Sequence, residues 1–154
     1  MNAAQAKSLI AMWQAAGKKV IFTNGCFDIL HIGHVNYLAD ARRMGDKLVV
    51  GLNSDESVRL LKGITRPLVD EKARAALLAS LSAVNLVVIF PEETPEQLLS
   101  ELRPDVLVKG GDYKAEEVLG REFVKEVKIL PFVEGYSTTN LVNKIAQLAK
   151  DGLL

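Results

Sequence analysis

From Val20 onward, short β-branched runs alternate with longer segments whose apolar residues recur at helical spacing. Buried strands give continuous apolar runs of four to eight residues, whereas amphipathic helices repeat near 3.6, so the alternation predicts strand-helix-strand units and a parallel sheet. Five strands are expected: Val20 to Thr23, Leu48 to Leu52, Leu86 to Phe90, Val106 to Val108 and Val127 to Leu130. Helices are expected over 34–44, 71–82, 95–102, 116–125 and 138–149, with a shorter one near 55–61. Ahead of this pattern, residues 3–16 place Leu9, Ile10, Met12 and Trp13 on one side of a helix that Gly17 closes. That side faces either its own sheet or a partner chain. Pro91, Pro95, Pro104 and Pro131 fall at element edges, where a missing N–H is tolerated.

At 154 residues the chain fits a single domain, with 1–17 as an N-terminal helix and 18–149 as the core. Nineteen basic residues balance nineteen acidic ones. No global field therefore draws the chain to nucleic acid or to an anionic membrane, and any anion must be held by a local site. The one cysteine, Cys26, excludes an intrachain disulfide and a multi-cysteine zinc site, which suits a cytoplasmic protein. No stretch approaches the ~20 apolar residues that span a bilayer.

In an open parallel sheet ligands bind beyond the carboxyl ends of the strands. The unusual polar groups of this sequence stand at those positions. Strand one runs into Thr23-Asn24-Gly25-Cys26-Phe27-Asp28 and then His31-Ile32-Gly33-His34, which holds both histidines of the chain. Strand two is followed by Asn53-Ser54-Asp55, strand four by Lys109-Gly110-Gly111-Asp112-Tyr113, and strand five by Gly135-Tyr136-Ser137-Thr138-Thr139. A strand, a glycine turn and a helix start in succession offer free backbone N–H groups and a helix dipole to a phosphate.

Each feature also has a plainer reading. Histidines at i and i+3 can donate to one anion, or can simply be solvated at a turn. Gly33 leaves room for a nucleotide or merely starts a helix. Ser137 or Thr138 serves as an ordinary N-cap, although three consecutive hydroxyls exceed what one cap requires. Lys109-Gly110-Gly111-Asp112 reads as a phosphate-contacting lysine or a charged turn. Lys62, Arg66 and Arg74 surround Gly63 and Pro67 in a stretch without clear periodicity, a basic loop over an anionic substrate or a solvated one. Cys26 reads as a packing residue, with no relay to activate it. No G-x-x-x-x-G-K-[ST] or G-x-G-x-x-G string follows a strand, so classical ATPase and dehydrogenase readings lose their support.

Taken together, Gly25 through His34 and Gly135-Tyr136-Ser137-Thr138-Thr139 resemble the two signatures of the cytidylyltransferase-like nucleotidyltransferases, an H-x-G-H motif and a later G-I-S-T-[ST] motif. The likeness continues through Val50 to Asp55, Arg66-Pro67-Leu68, Arg74 to Leu78 and Val108 to Tyr113, and narrows to the heptose 1-phosphate adenylyltransferase branch over about residues 18 to 149. Where the wider family often has an arginine three residues before the later glycine, this chain has Phe132, as that branch does.

The resemblance implies a Rossmann-like α/β fold, an open parallel five-stranded sheet with helices on both faces. It also implies transfer of AMP from ATP to D-glycero-D-manno-heptose 1-phosphate for lipopolysaccharide, with Mg²⁺ bound mainly through ATP phosphates and no dedicated protein metal ligands. His31, His34 and Lys62 are then the expected catalytic residues. Thr23, Asn24, Gly25, Cys26, Phe27, Gly33, Lys109, Gly110, Asp112, Tyr136, Ser137, Thr138 and Thr139 would join the histidines around the nucleotide. Asp28, Asn53, Arg66 and Arg74 would join Lys62 around the acceptor. A homo-oligomer, dimer or tetramer, is the implied assembly. Two other readings stay open: a same-fold transferase acting on glycerol 3-phosphate or phosphopantetheine, and a non-catalytic nucleotide-binding module.

Overall fold

A computed structural model of the chain describes residues 1–131 and 136–154. Five strands, β1 (Val20–Gly25), β2 (Lys47–Asn53), β3 (Leu86–Phe90), β4 (Val106–Gly110) and β5 (Glu126–Leu130), form one sheet in the order β3-β2-β1-β4-β5. Every pairing is parallel. The five expected strands are the five observed, each extended by no more than two residues at an end. β1 pairs with β2 on one side and β4 on the other, so Ile21 lies between Leu48 and Val106. The chain's order reverses there, which opens a crevice above the carboxyl ends of β1 and β4.

Alternation along the strands divides the core into two layers. Phe22, Val49, Val88 and Leu107 point to one face, where α1 (Ala3–Ala15) contributes Ala6 and Ile10 and α5 (Glu96–Leu102) contributes Leu98, Leu99 and Leu102. Ile21, Leu48, Val50, Val106 and Val108 point to the other, under Leu38 and Ala41 of α2 (Ile32–Arg42) and Leu78 of α4 (Glu71–Ala79). Each fully buried Leu, Ile or Phe contributes roughly 1.5–3 kcal/mol by leaving water, so both layers are needed to hold the sheet. The α1 face covers its own sheet: Leu9 and Trp13 pack on that layer, and only Met12, 60% exposed, turns away from it.

Two expectations are corrected. α2 begins at Ile32 instead of 34, which makes His31 its N-cap and puts His34 in its first turn. The expected helix over 116–125 is instead two 3₁₀ turns, Ala115–Glu117 and Arg121–Phe123. Between them Val118 is extended and buried, and Gly120 takes a φ of +87°. Apolar periodicity here reflects Val118 inserted into the core, with Phe123 and Val124 packed against that core from a segment that is not α-helical, and no helical stripe. A Cβ on Gly120 would come within 2.3 Å of Leu99 Cδ1. The last helix, α6 (Thr138–Lys150), has no buried residue and leaves Leu141 and Ile145 exposed. The remaining helix, α3 (Asp55–Lys62), follows β2 directly, capped by the Ser54 side chain. No helix among the described residues is long and apolar enough to cross a membrane.

Gly120→Ala therefore combines left-handed backbone strain with overpacking against a fully buried leucine, and is expected to cost about 2–4 kcal/mol. Urea unfolding monitored by circular dichroism checks this, and an unchanged midpoint would contradict it.

Candidate active site

Above the β1/β4 crevice lies a cleft of ≈ 970 Å³, lined by residues from all five strand exits. Its first wall is the β1–α2 loop. Phe27 adopts φ +45°, a left-handed conformation costly for an aromatic residue, and is held there from both sides. On one side the Cys26 carbonyl accepts from Arg74 Nη1 at 2.6 Å, and on the other the Asp28 carboxylate, 3% exposed, accepts from Leu68 N and Val69 N at 2.8 and 2.9 Å. Gly25 makes the turn possible, because a Cβ there would meet the Phe27 ring at 3.0 Å. The ring then stands edge-on to His34, 5.2 Å between centroids.

His31 and His34 are stacked with centroids 3.8 Å apart. The His31 backbone N–H donates to His34 Nδ1 at 3.3 Å. An accepting Nδ1 leaves the proton of a neutral imidazole on Nε2, so His34 presents a donor there. Burial, and secondarily the adjacent His31, lowers the His34 pKa to about 4, and burial lowers that of His31 as well. The free site thus holds two uncharged imidazoles at neutral pH. His31 Nδ1 is the one buried side-chain nitrogen or oxygen without a hydrogen-bond partner among the described residues. The room left by Gly33 is used by the protein itself, since a Cβ there would meet the His31 ring at 3.0 Å and Tyr136 Cβ at 3.2 Å.

Lys109 reaches the cleft from β4, with Nζ 3.5 Å from Asn24 Oδ1 and 5.9 Å from the Tyr113 ring centroid. Burial lowers its pKa, as expected for an ammonium with no close carboxylate. Burial likewise raises the pKa of Cys26, against the opposing influence of Lys62 and Arg74, so its thiol stays protonated and poorly nucleophilic. Ser137 caps α6 through its side chain, accepting from Asn140 N at 3.0 Å, and Thr138 Oγ1 donates to Ile29 O at 3.4 Å. Thr139 takes no partner among the described hydrogen bonds and lines the cleft with them, as do Tyr136 and Gly110. Gly135 and Phe132 lie outside the described residues.

The remaining expected site residues divide. Lys62, at the end of α3, and Arg66 both line the cleft. Arg74 does not belong to a basic loop: it sits on α4, is 1% exposed, and also bonds Val69 O, Asn53 O and the Asp55 carboxylate. Thr23 is buried, its hydroxyl 2.7 Å from Tyr37 Oη, and neither it nor the exposed Asp112 lines the cleft. Asn53 does line it, while donating to Ser57 Oγ and the Glu92 carbonyl. Sequence reasoning missed Tyr37, Glu93, Thr94 and Glu117, which also line the cleft. Only Tyr37 had a legible signal, standing six residues after His31 on a helix that faces the sheet. Among the described residues no group of three His, Cys, Asp or Glu side chains is placed to hold a metal ion.

A family profile described as Cytidylyltransferase-like matches residues 22–144, which carry the sheet, the histidine pair and most of α6. The chain belongs to the cytidylyltransferase-like family. Among curated proteins it is similar to the bifunctional protein HldE of Hydrogenovibrio crunogenus, 56% identical over 151 residues that cover 96% of this chain and 32% of that protein. HldE of Helicobacter pylori strain G27 is 57% identical over 134 residues, 87% of this chain and 29% of that one. The chain thus spans about a third of the length of these relatives. Among solved structures, the lipopolysaccharide core biosynthesis protein from Thermoplasma volcanium superposes with a TM-score of 0.65 at 29% identity, covering 79% of this chain and all of that one. Pantothenate synthetase from Thermus thermophilus shares the fold, with a TM-score of 0.59 at 20% identity over 93% of this chain and 75% of that one. In this chain the H-x-G-H turn stands just beyond the exit of β1.

The lowered pKa of His34 gives a direct expectation. Because its folded value lies below the ordinary value of 6.5, the stability that depends on a neutral His34 is complete above about pH 6.5 and is lost as pH falls toward 4. Titration of the imidazole Cε1–H resonance should give a midpoint near pH 4 in the free protein. A midpoint at 6.5 or above without ligand would contradict the burial argument.

Proposed function

We propose that the chain transfers AMP from ATP to D-glycero-D-manno-heptose 1-phosphate, releasing pyrophosphate and forming ADP-heptose for lipopolysaccharide. The reading is carried by one observation: the stacked histidines, the α6 hydroxyls and the cations Lys62, Arg66 and Lys109 line the same cleft. The identity above 50% to proteins named HldE supports the heptose acceptor, and the branch likeness supports ATP.

The acceptor's phosphate oxygen is already anionic at neutral pH, so the reaction needs no strong base. It attacks the α-phosphorus, a new P–O bond forms as the bond to the α,β-bridging oxygen breaks, and pyrophosphate leaves with the electron pair. The chain's task is to align the two substrates and to stabilise charge accumulating on the bridging and non-bridging oxygens. His34 donates from Nε2 to a phosphate oxygen, and the negative charge of the triphosphate raises the affinity of both imidazoles for a proton. Thr138, Thr139 and the amino end of α6 hold the β- and γ-phosphates, with Ser137 fixing that end as its cap. Lys109 and Asn24 flank the nucleotide, and Lys62 and Arg66 meet the acceptor phosphate. Arg74 is sealed in the fold and shapes the site without touching substrate. Mg²⁺ would be held mainly by the triphosphate, whose charge it would screen, since among the described residues no group of three His, Cys, Asp or Glu side chains is placed to hold it. The protonated Cys26 thiol is a poor nucleophile and the acceptor brings its own anionic oxygen, so direct transfer without a covalent enzyme intermediate is the course proposed.

The reading extends to a cytoplasmic homo-oligomer, dimer or tetramer, with no nucleic acid or membrane partner.

Pyrophosphate release from ATP, CTP and GTP with Mg²⁺ tests the reading, each nucleotide paired with the two anomers of heptose 1-phosphate, glycerol 3-phosphate and phosphopantetheine. Turnover with ATP and one heptose anomer is expected. Turnover only with another acceptor would move the chain to a sister activity, and nucleotide binding without turnover would make it a binding module. With the active pair, His34→Ala is expected to lower kcat by about 100- to 1,000-fold while the fold is kept, the usual loss on removing one preorganised donor to developing charge. Lys62→Ala should act more weakly and mainly on acceptor KM.

A further inference from the structure

Residues 63–69 connect α3 to α4 along the rim of the cleft, and two buried side chains of opposite charge fasten them to the β1–α2 loop. Asp28 accepts the backbone N–H groups of Leu68 and Val69 on Oδ1 and the Arg66 Nε–H on Oδ2. Arg74 donates Nε–H to the Val69 carbonyl and Nη1–H to the Cys26 carbonyl. The strap and the loop that carries the strained Phe27 are therefore one unit.

Arg66 is the informative member. Its side chain is 18% exposed and lines the cleft, yet only Nε is used within the protein. Neither Nη1 nor Nη2 has a partner among the described hydrogen bonds. A guanidinium held at Nε by a carboxylate keeps its plane fixed and presents its outer N–H groups as a fork, the geometry that suits a phosphate. Asp28 lacks the matching freedom. It is 3% exposed, and each oxygen already accepts from the strap, so it has little capacity for a sugar hydroxyl or a metal shell.

We propose that Asp28 is a positioning residue for Arg66: it orients the guanidinium so that its two outer nitrogens grip the phosphate of the acceptor, and it does not itself contact substrate. This rests on the transferase reading and assigns the acceptor's phosphate subsite within it.

The test is a double-mutant cycle with Asp28→Asn and Arg66→Lys, read as separate KM values for ATP and for heptose 1-phosphate. An asparagine oxygen still accepts from Leu68 and Val69 but loses the charged hold on Arg66. A lysine keeps the charge of Arg66 and loses the fork. Each single variant is expected to raise acceptor KM by about 10- to 100-fold, the range for losing a hydrogen bond to a charged group, with ATP KM within about twofold of wild type. The double variant should be no worse than Arg66→Lys alone, because both changes remove the same interaction. Multiplying losses, or an Asp28→Asn effect confined to ATP KM or to the Mg²⁺ requirement, would overturn the proposal.

Amide hydrogen exchange separates this from failure of the activity itself. In the wild-type protein Leu68 and Val69 should be protected, in Asp28→Asn still protected, and in Asp28→Ala fast. Rapid exchange at both amides in the wild type would overturn the strap's attachment whether or not heptose 1-phosphate is the acceptor.

Discussion

The site depends on a single buried guanidinium. Arg74 joins the exits of β1 and β2 by donating to the carbonyls of Cys26 and Asn53, reaches the strap at Val69, and is neutralised by Asp55 at 2.7 Å. Carbonyls at the carboxyl end of a parallel sheet have lost their ladder partners, and burying them unpaired would cost about 1–3 kcal/mol each. One side chain satisfies two of them, adds the Val69 carbonyl of the strap, and carries its own counter-ion. Removing one member of such a buried pair typically costs about 3–5 kcal/mol, since the charge left behind has no water to receive it. The strained turn at Phe27 persists because this hub and Asp28 determine the backbone on both sides of it.

From that hub the rest of the site is positioned in sequence. The turn at Phe27 sets the ring that abuts His34 and delivers the chain to His31 as the first cap of α2. Burial then keeps both imidazoles neutral, and an uncharged Nε2–H is a donor that need not be desolvated as a cation before it would meet a phosphate. The cations Lys62, Arg66 and Lys109 line the same cleft from α3, the strap and β4. In the proposed reaction opposite needs would thereby be met in one cleft: charge attraction would gather two anionic substrates, and directed dipoles would act at the reacting phosphorus.

The sheet was legible because buried parallel strands are written as continuous apolar runs, and all five were found. The histidine pair, Lys109 and the α6 hydroxyls were legible because strand exits concentrate polar residues against that apolar background. Helix ends were harder. The start of α2 is decided by the His34 imidazole accepting the backbone N–H three residues before it, a local cap that histidine seldom supplies, and the broken segment around Val118 by a glycine packed on Leu99, a tertiary effect. Arg74 and Thr23 looked like ligand contacts because a sequence shows residue type and not burial. The structure encloses both, and the partners that occupy them, Cys26 O, Asn53 O and Tyr37 Oη, lie 48, 21 and 14 residues away. Glu93, Thr94 and Glu117 carried no pattern at all, since they reach the cleft only through loops after β3 and β4.

At the centre of this account is direct in-line transfer at the α-phosphorus, with the chain supplying alignment and dipoles but no nucleophile. The stereochemical course with a single diastereomer of the α-thio analogue of ATP, read by ³¹P NMR of the sugar nucleotide formed, tests this most directly. A single displacement predicts inversion at the α-phosphorus. Retention would require two displacements through an adenylylated side chain, and would contradict the account.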